Sequence, residues 1–323
     1  MKVVDLFSGC GGLSLGFINS GYDIIAAYDN WKPAVDVYKA NFKHPIFSTD
    51  LSSKEAIEEI RGHKADLIIG GPPCQDFSSA GKRDENGGRA DLTIYFANII
   101  ADVKPKWFIM ENVVQIVKSY TLKQAKEIFT KANYGLSHVI LNANLAGVPQ
   151  NRKRFFLIGE LDGENNSITS FFLQKTSIKP MTVRDYLGNS LNTEFYYRHP
   201  RSYQRRGIFS IDEPSPTIRG VNRPIPPNYK FHKRDRIKDL SKVRPLTTKE
   251  RSLIQTFPKD FKFFGSKSAM EQMIGNAVPV KLAEFVGNKF YEYISSKKDT
   301  IKDKQLEMEF SVLDHECKAM GNS

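Results

Sequence analysis

Cys74 is the residue whose position invites chemistry. It follows two prolines at the end of an apolar run, ADLIIGGPP at 65–73, within the segment GGPPCQDFS. The run reads as a buried strand, and the prolines fix a rigid loop at its C-terminal edge. Ligands of open α/β sheets bind outside the carboxyl ends of strands, so a thiol there is placed to act as a nucleophile. Taken alone, a cysteine is more often a small apolar core residue. Two further segments shift that balance. ENV at Glu111–Val113 puts a carboxyl at the end of another apolar run. QNRKR sets Gln150, Arg152 and Arg154 at alternating positions entering a strand, so they project to one side.

A second group of residues suits a cofactor. DLFSGCGG joins the first strand to the first helix, where glycines permit a tight turn and close approach of a ligand. Its spacing departs from GxGxxG, which disfavours a dinucleotide. Asp29 ends the second strand and could accept from both hydroxyls of a ribose. Asp50 ends the third and could accept from an adenine amino group. Each acid alone would more often be a cap or a solvated carboxylate. In series at successive strand ends they favour an adenosine-containing cofactor.

These residues need a scaffold, and the first half of the chain predicts one. KVVDLF, DIIAAYD, PIFSTD, ADLIIGG and KWFIMEN read as strands. Between them LSLGFINSGY, PAVDVYKANF, SSKEAIEEIRG and LTIYFANIIADV read as helices, the third with a capping-box-like start, Ser52 and Ser53 ahead of Glu55. The alternation implies a parallel sheet covered on both faces. A helix near LKQAKEIFTKANY and strands at LSHVILNA and RFFLIGEL follow; only a loop separates these strands, which predicts an antiparallel edge hairpin. After about residue 160 the pattern gives way to Asn, Pro, Arg and Tyr, with short strands and long loops expected. Helical periodicity returns at TTKERSLIQTF and VKLAEFVGNKFYEYI. The expected division is 1–160, 161–269, a C-terminal helix over 270–295 that returns to the first domain, and a charged tail over 296–323.

Composition bounds the partners. The 323 residues carry 47 Lys and Arg against 36 Asp and Glu, a net charge of +11 that favours a polyanion. Cys10, Cys74 and Cys317 are widely separated, which suits a reducing compartment and gives no CxxC metal site; the six His show no metal-ligand spacing either, so no metal is expected. No apolar run reaches membrane-spanning length, and MKVVDLFSG starts directly as a strand, so a cytoplasmic protein is expected.

In this order, DLFSGCGG, the Cys74 loop, ENV and QNRKR resemble the bacterial DNA (cytosine-5)-methyltransferases over about residues 1–295. The resemblance implies an α/β fold: a Rossmann-like methyltransferase sheet with a smaller, irregular DNA target-recognition domain. It implies S-adenosylmethionine as cofactor. Phe7 would pack on the adenine, Gly9 and Gly11 would line the methionine end, Leu92 would lie below it, and Asn276 in GNAVPV would close the pocket. The position after the ribose acid, often a large stacking side chain in the family, is Asn30 here, with Trp31 next. Either stacking moves by one residue or the adenine face is less covered.

The resemblance also assigns the chemistry. Cytosine C5 is a poor nucleophile, and addition of the Cys74 thiolate at C6 would make it enamine-like. Glu111 would donate to N3, Arg154 would reach the cytosine O2, and Arg152 would support the neighbouring structure. The base would have to flip out of the duplex. Specificity would lie between QxRxR and LTTKE at 246–250, where Thr217 and Ile218 in SPTIRG resemble the family's Thr-plus-aliphatic pair. Gln150, Thr217, Arg219, Asn222 and Arg223 are the expected DNA contacts, with Arg205, Arg206, Lys233 and Arg234 on phosphates. The expected setting is a monomer acting on double-stranded DNA, with a cognate restriction endonuclease or as a solitary enzyme. A transfer RNA methyltransferase and a non-catalytic DNA-binding module are the alternatives; the basic, proline-rich stretch disfavours the first, and the presence of Cys74 and Glu111 disfavours the second.

Overall fold

A computed structural model describes residues 1–73, 92–173, 177, 179–200, 202 and 204–297. Its frame is a seven-stranded sheet in the order β3-β2-β1-β4-β5-β8-β6. Strands β1 (Lys2–Leu6), β2 (Asp23–Tyr28), β3 (Ile46–Phe47), β4 (Leu67–Gly70) and β5 (Trp107–Val113) run parallel. Strand β8 (Lys153–Leu161) lies antiparallel between β5 and β6 (Tyr134–Asn142), as the expected hairpin requires. The strands of the middle are buried on both faces, β4 throughout and β5 at all but its last residue, which is why they read as unbroken apolar runs.

Helix α1 (Gly12–Asn19) and a last helix at 280–297 cover one face, where Phe17, Leu282, Val286 and Phe290 pack on Val3, Leu67, Ile109 and Ile158. Helices α3 (Lys54–Gly62), α4 (Leu92–Val103) and α5 (Tyr120–Lys131) cover the other, with Ile60, Phe96, Ile100 and Phe129 on Val4, Ile68, Phe108 and Leu157. Helix α2 (Lys32–Lys39) opens with Pro33 in its first turn. The strand order reverses between β1 and β4, so the crevice at their carboxyl ends is the natural ligand site. The Phe7–Gly11 turn and the Gly71–Pro73 loop leave the sheet there.

A three-stranded sheet forms the smaller unit. In it β9 (Phe195–Tyr197) pairs antiparallel with β10 (Ile208–Ser210) and parallel with β12 (Val243–Pro245). Two short strands, β7 (Gln150–Asn151) and β11 (Ser215–Pro216), pair parallel and stitch this unit to the first. Helices α6 (Thr169–Leu173), α7 (Val183–Leu187), α8 (Thr248–Ile254) and α9 (Lys267–Asn276) follow β8 along the chain, ahead of the last helix. A third apolar cluster, including Cys10, Ile218, Leu246, Ile254, Phe257, Ile274 and Val280, fills the seam between the units.

Three local expectations are corrected. The start of α3 is capped by Ser53, whose hydroxyl accepts from Ala56, so Glu55 is not at the position a capping box needs. Asp50 Oδ1 accepts from the Ser52 N–H at 3.0 Å, a turn that delays the helix by one residue. The segment expected as one C-terminal helix is two, because α9 ends at Asn276 and a new helix begins after Pro279. Proline supplies no N–H and pushes the residue before it out of helical backbone. Finally, residues 296–297 continue the last helix instead of opening the tail, and Lys297 Nζ reaches Glu160 Oε2 at 2.6 Å. The rest of the tail, 298–323, lies outside the described residues. Among the described residues no helix is long and apolar enough to cross a membrane.

The close approach of α1 to the last helix depends on Gly16. A Cβ built there would sit 2.3 Å from Ala283 Cβ, and 2.6 Å from both Glu284 N and Val280 O. Two of these atoms are backbone, which cannot swing aside. Gly16→Ala is expected to lower stability by about 1–3 kcal/mol, read from the midpoint of urea unfolding; an unchanged midpoint would refute the contact.

Candidate active site

Strand register brings the first pair of functional groups together. On the antiparallel β5–β8 ladder Val113 faces Arg154, and Glu111 lies two residues along the same face. The diagonal closes as an ion pair, Arg154 Nε to Glu111 Oε1 at 2.7 Å, with both side chains almost wholly buried. Burial pushes the Glu111 carboxyl above the usual range, while Arg154 and Arg152 pull it back. Burial likewise lowers the basicity of Arg154, with Glu111 opposing. Among the described residues, two of the five guanidinium donors of Arg154 are used, one on Glu111 and one on the Lys153 carbonyl at 2.8 Å.

The same strand end holds the proline loop. Asn112 Nδ2 donates to the Pro72 carbonyl at 2.9 Å, and a Cβ on Gly71 would lie 3.2 Å from Glu111 Oε2. The loop that runs toward Cys74 therefore starts against Glu111. Cys74 itself lies outside the described residues.

Arg152 and Gln150 alternate with exposed Asn151 and Lys153, as the spacing predicts, but both turn fully inward. Arg152 Nη1 donates to the Ile218 carbonyl at 3.0 Å, and Nη2 to the Gly275 and Ala277 carbonyls at 3.0 Å. The guanidinium thus binds the protein's own backbone, which makes Arg152 a positioning residue; the grouping with catalytic residues is corrected. Gln150 Oε1 accepts from the Ile218 N–H at 2.9 Å and its Nε2 donates to Gln255 at 2.7 Å. Both ends of the Gln150 amide are thus committed inside.

The cofactor group meets at the crevice. Phe7 and Gly9 have φ of 57° and 55°, and a Cβ on Gly9 would meet nothing within 4 Å, so the turn opens onto free space. Gly11, at φ 93°, instead packs under the Phe42 ring. Asp29 Oδ2 accepts from the Gly9 N–H at 2.8 Å and Oδ1 from Trp31 N–H at 2.8 Å, which fixes the carboxylate beside that space with lone pairs to spare. Burial raises its pKa and these amides lower it. Asp50, Asn30 and Asn276 are exposed, and Leu92 begins α4 half-buried. The Trp31 ring packs into the seam cluster. An open glycine cradle with a fixed carboxylate beside it fits an adenosyl amino-acid cofactor.

Among the expected DNA contacts, several are spent internally. Thr217 Oγ1 donates to the Asn151 carbonyl at 2.7 Å, and Asn222 Nδ2 donates to the Leu246 carbonyl at 2.9 Å and to Glu271 at 3.1 Å. The Arg219 guanidinium donates to the His199 carbonyl. Arg223 is exposed, as are Arg205, Lys233 and Arg234, whereas Arg206 forks onto Glu213 at 3.0 and 2.6 Å. Gln150 is thus enclosed, while Thr217, Asn222 and Arg206 also serve internal groups: a polar side chain in a loop follows whichever orphan group lies nearest, and sequence does not show which that is. Sequence reasoning also passed over Arg251, Gln255 and Glu271, which lie at helix positions with no local signal.

A chain of polar groups runs inward from His44 to Asp5 of β1. Ser14 Oγ donates to Asp5 Oδ2 at 2.5 Å and lies 2.7 Å from Tyr38 Oη, which lies 2.6 Å from His44 Nε2. Asp5 is fully buried, and its Oδ1 has no partner among the described residues. Burial pushes its carboxyl up to about 7, Ser14 opposing and the Asp29 charge adding. The unfolded value is about 3.9, so the folded chain keeps a proton that the unfolded chain releases as pH rises from about 4 to 7. Stability contributed by this group falls through that window and is level above it. Asp5→Asn should flatten the decline, by an amount on the order of 4 kcal/mol at pH 8 relative to pH 4. Chemical unfolding at both pH values checks this, and parallel profiles for the two proteins would refute it.

Comparison with known proteins agrees with this geometry. Residues 1–292 match the family described as C-5 cytosine-specific DNA methylase. The chain is 63% identical over 290 residues to the Type II methyltransferase M.HindV of Haemophilus influenzae, covering 89% of this chain and 95% of that one. It is 55% identical over 296 residues to the Type II methyltransferase M.HgiDI of Herpetosiphon aurantiacus, covering 91% and 96%. In fold it is similar to the S. pombe Dnmt2 methyltransferase, with a TM-score of 0.70 at 18% identity, covering 91% of this chain and 99% of that one. The chain belongs to the C-5 cytosine-specific DNA methylase family, and it is a DNA (cytosine-5)-methyltransferase.

Proposed function

We propose that the enzyme methylates one cytosine within a short duplex sequence by transient covalent addition, with Cys74 as nucleophile. The observation that supports this most is the Glu111–Arg154 pair beside the Gly71–Pro73 loop that leads to Cys74, 2.7 Å apart and almost wholly buried. S-adenosylmethionine, held by Phe7, Gly9, Asp29, Asp50 and Leu92 and closed in by Asn276, supplies an electrophilic methyl group when bound.

The remaining steps belong to the chain. The Cys74 thiolate forms a bond to C6 of the flipped cytosine, and the ring's electron pair moves toward C5 and N3. Glu111 uses Oε1 to hold Arg154, and its other oxygen carries the proton donated to N3; desolvation favours the protonated carboxyl, with Arg154 and Arg152 opposing. Arg154 holds the cytosine O2. Once C5 bears the methyl group, its hydrogen leaves as a proton to water, the S–C6 bond breaks to return the thiolate, and the N3 proton goes back to Glu111. Flipping costs roughly a few kcal/mol, offset by contacts in the pocket.

In this reading residues 1–160 carry catalysis and 161–269 carry target recognition, and the enzyme works as a cytoplasmic monomer. The likeness to Type II methyltransferases supports a restriction endonuclease of the same site as its partner.

The test offers labelled S-adenosylmethionine with duplex DNA or with bulk transfer RNA. Label should enter DNA, and duplexes carrying 5-fluorocytosine at the target should trap a covalent adduct. Cys74→Ala should lose the adduct and reduce turnover by about a thousandfold or more while still binding the cofactor. Full turnover in that variant, or labelling of transfer RNA alone, would overturn the proposal.

A further inference from the structure

Segment 217–222 is held at almost every residue by groups outside it. Arg198 Nη2 donates to the Thr217 carbonyl at 3.0 Å, and Gln150 and Arg152 take the N–H and carbonyl of Ile218. Arg251 donates to the Arg219 carbonyl, and Glu271 Oε1 accepts from Asn222. A Cβ on Gly275 would lie 2.2 Å from Gly220 N and 2.3 Å from Arg219 C, so α9 presses directly on this backbone. What the segment leaves outside is Val221, 51% exposed, and the exposed Arg223.

Two of these anchors also bind each other. Arg251 of α8 and Glu271 of α9 form an ion pair, Nη1 to Oε2 at 2.5 Å, at 4% and 3% exposure. Glu271 takes a further bond from Thr248 Oγ1 at 2.8 Å. An ion pair this deep adds little or nothing to stability compared with an apolar pair of equal volume, because both charges lose their water. What it adds is direction. The guanidinium spans from the carboxylate to the Arg219 carbonyl, and the carboxylate spans from the guanidinium to Asn222. The pair therefore fixes the segment at two points three residues apart, on either side of the Gly220–Val221 turn.

We propose that Arg251 and Glu271 are positioning residues for sequence recognition: touching no DNA themselves, they set the orientation of segment 217–223 so that Val221 and Arg223 meet base edges. This rests on the reading of the enzyme as one that acts on duplex DNA at a specific site. Val221 suits a thymine methyl and Arg223 a guanine edge or a phosphate. Loosening the pair frees the segment without changing the groups at Glu111 and Arg154, so discrimination suffers before chemistry does.

The experiment compares the full chain with Glu271→Gln, with Arg251→Lys, and with the double variant Arg251→Met, Glu271→Met, which leaves no orphan charge. Each methylates a random-sequence duplex pool with S-adenosylmethionine, and bisulfite sequencing reads the sites; kcat and KM are measured on the wild-type site, with melting temperature alongside. Methylation of a defined site by the unaltered chain tests the underlying reading by itself. The positioning role expects Glu271→Gln and the double variant to keep kcat within about threefold and to lose discrimination against single-base changes by about tenfold, with raised KM. Arg251→Lys, which keeps the charge pair, should lose less. Unchanged discrimination in a folded variant would overturn the proposal. So would an equal loss of kcat on every sequence, or failure of all three variants to fold, either of which makes the pair a scaffold element only.

Discussion

The structure turns on one buried cation. Arg152 is 1% exposed, yet its guanidinium lies where three segments meet: the β7–β8 junction that bears it, Ile218 at the start of the recognition segment, and the Gly275–Ala277 turn. A helix end leaves its last carbonyls without partners, and its dipole favours positive charge there. The end of α9 is such a place, and Arg152 supplies the missing donors. Burial lowers its basicity, the charge of Arg154 adds to that, and Glu111 opposes it. Two residues beyond Arg152, Arg154 grips Glu111; one residue beyond Gly275 stands Asn276. Groups assigned to the target base, the cofactor and the DNA sequence thus share one point of reference.

That arrangement needs two kinds of contact across the seam. The apolar cluster of Ile218, Leu246, Ile254, Phe257, Ile274 and Val280 supplies adhesion, about 25 cal/mol per Å² of area removed from water. Apolar contact carries no direction, and a segment lying on it can slide by a fraction of a residue at small cost. The polar groups beside it, Gln150, Arg152, Arg251, Gln255 and Glu271, each contribute little net energy once desolvation is counted. Their bonds are short and angular, and they name particular carbonyls. A seam of grease alone would join the two units; the polar set decides the register in which they join.

Sequence made the frame legible because its signals are local. Apolar runs of four to seven residues marked β1, β4 and β5, and the loop between LSHVILNA and RFFLIGEL was enough to predict the antiparallel hairpin that places β8 beside β5. The Glu111–Arg154 pairing was half visible, as two motifs at the ends of strands, but the register that makes them diagonal neighbours belongs to the sheet. Pro279 carried a readable break that the periodicity on both sides obscured. The internal partners of Gln150, Thr217 and Asn222 were not legible, for a different reason. Their side chains suit DNA and orphan backbone groups equally, and only the folded seam shows that Ile218, Asn151 and Leu246 claim them.

The charge balance at the strand ends bears on how the proposed chemistry is favoured. Two guanidiniums, Arg152 and Arg154, surround one carboxyl, Glu111, and all three are buried. Burial favours the neutral carboxyl while both guanidiniums oppose it, and by formal count the group holds two cations against at most one anion. Attack by a thiolate on the ring brings in the charge that is missing. In the proposed chemistry the anion develops beside Glu111 and Arg154, already fixed against each other, and such preorganisation lowers a barrier. A protonated Glu111 is then compatible with its arginine neighbour: the pair is not required to be an ion pair at rest, only to be one proton away from it when the ring needs that proton.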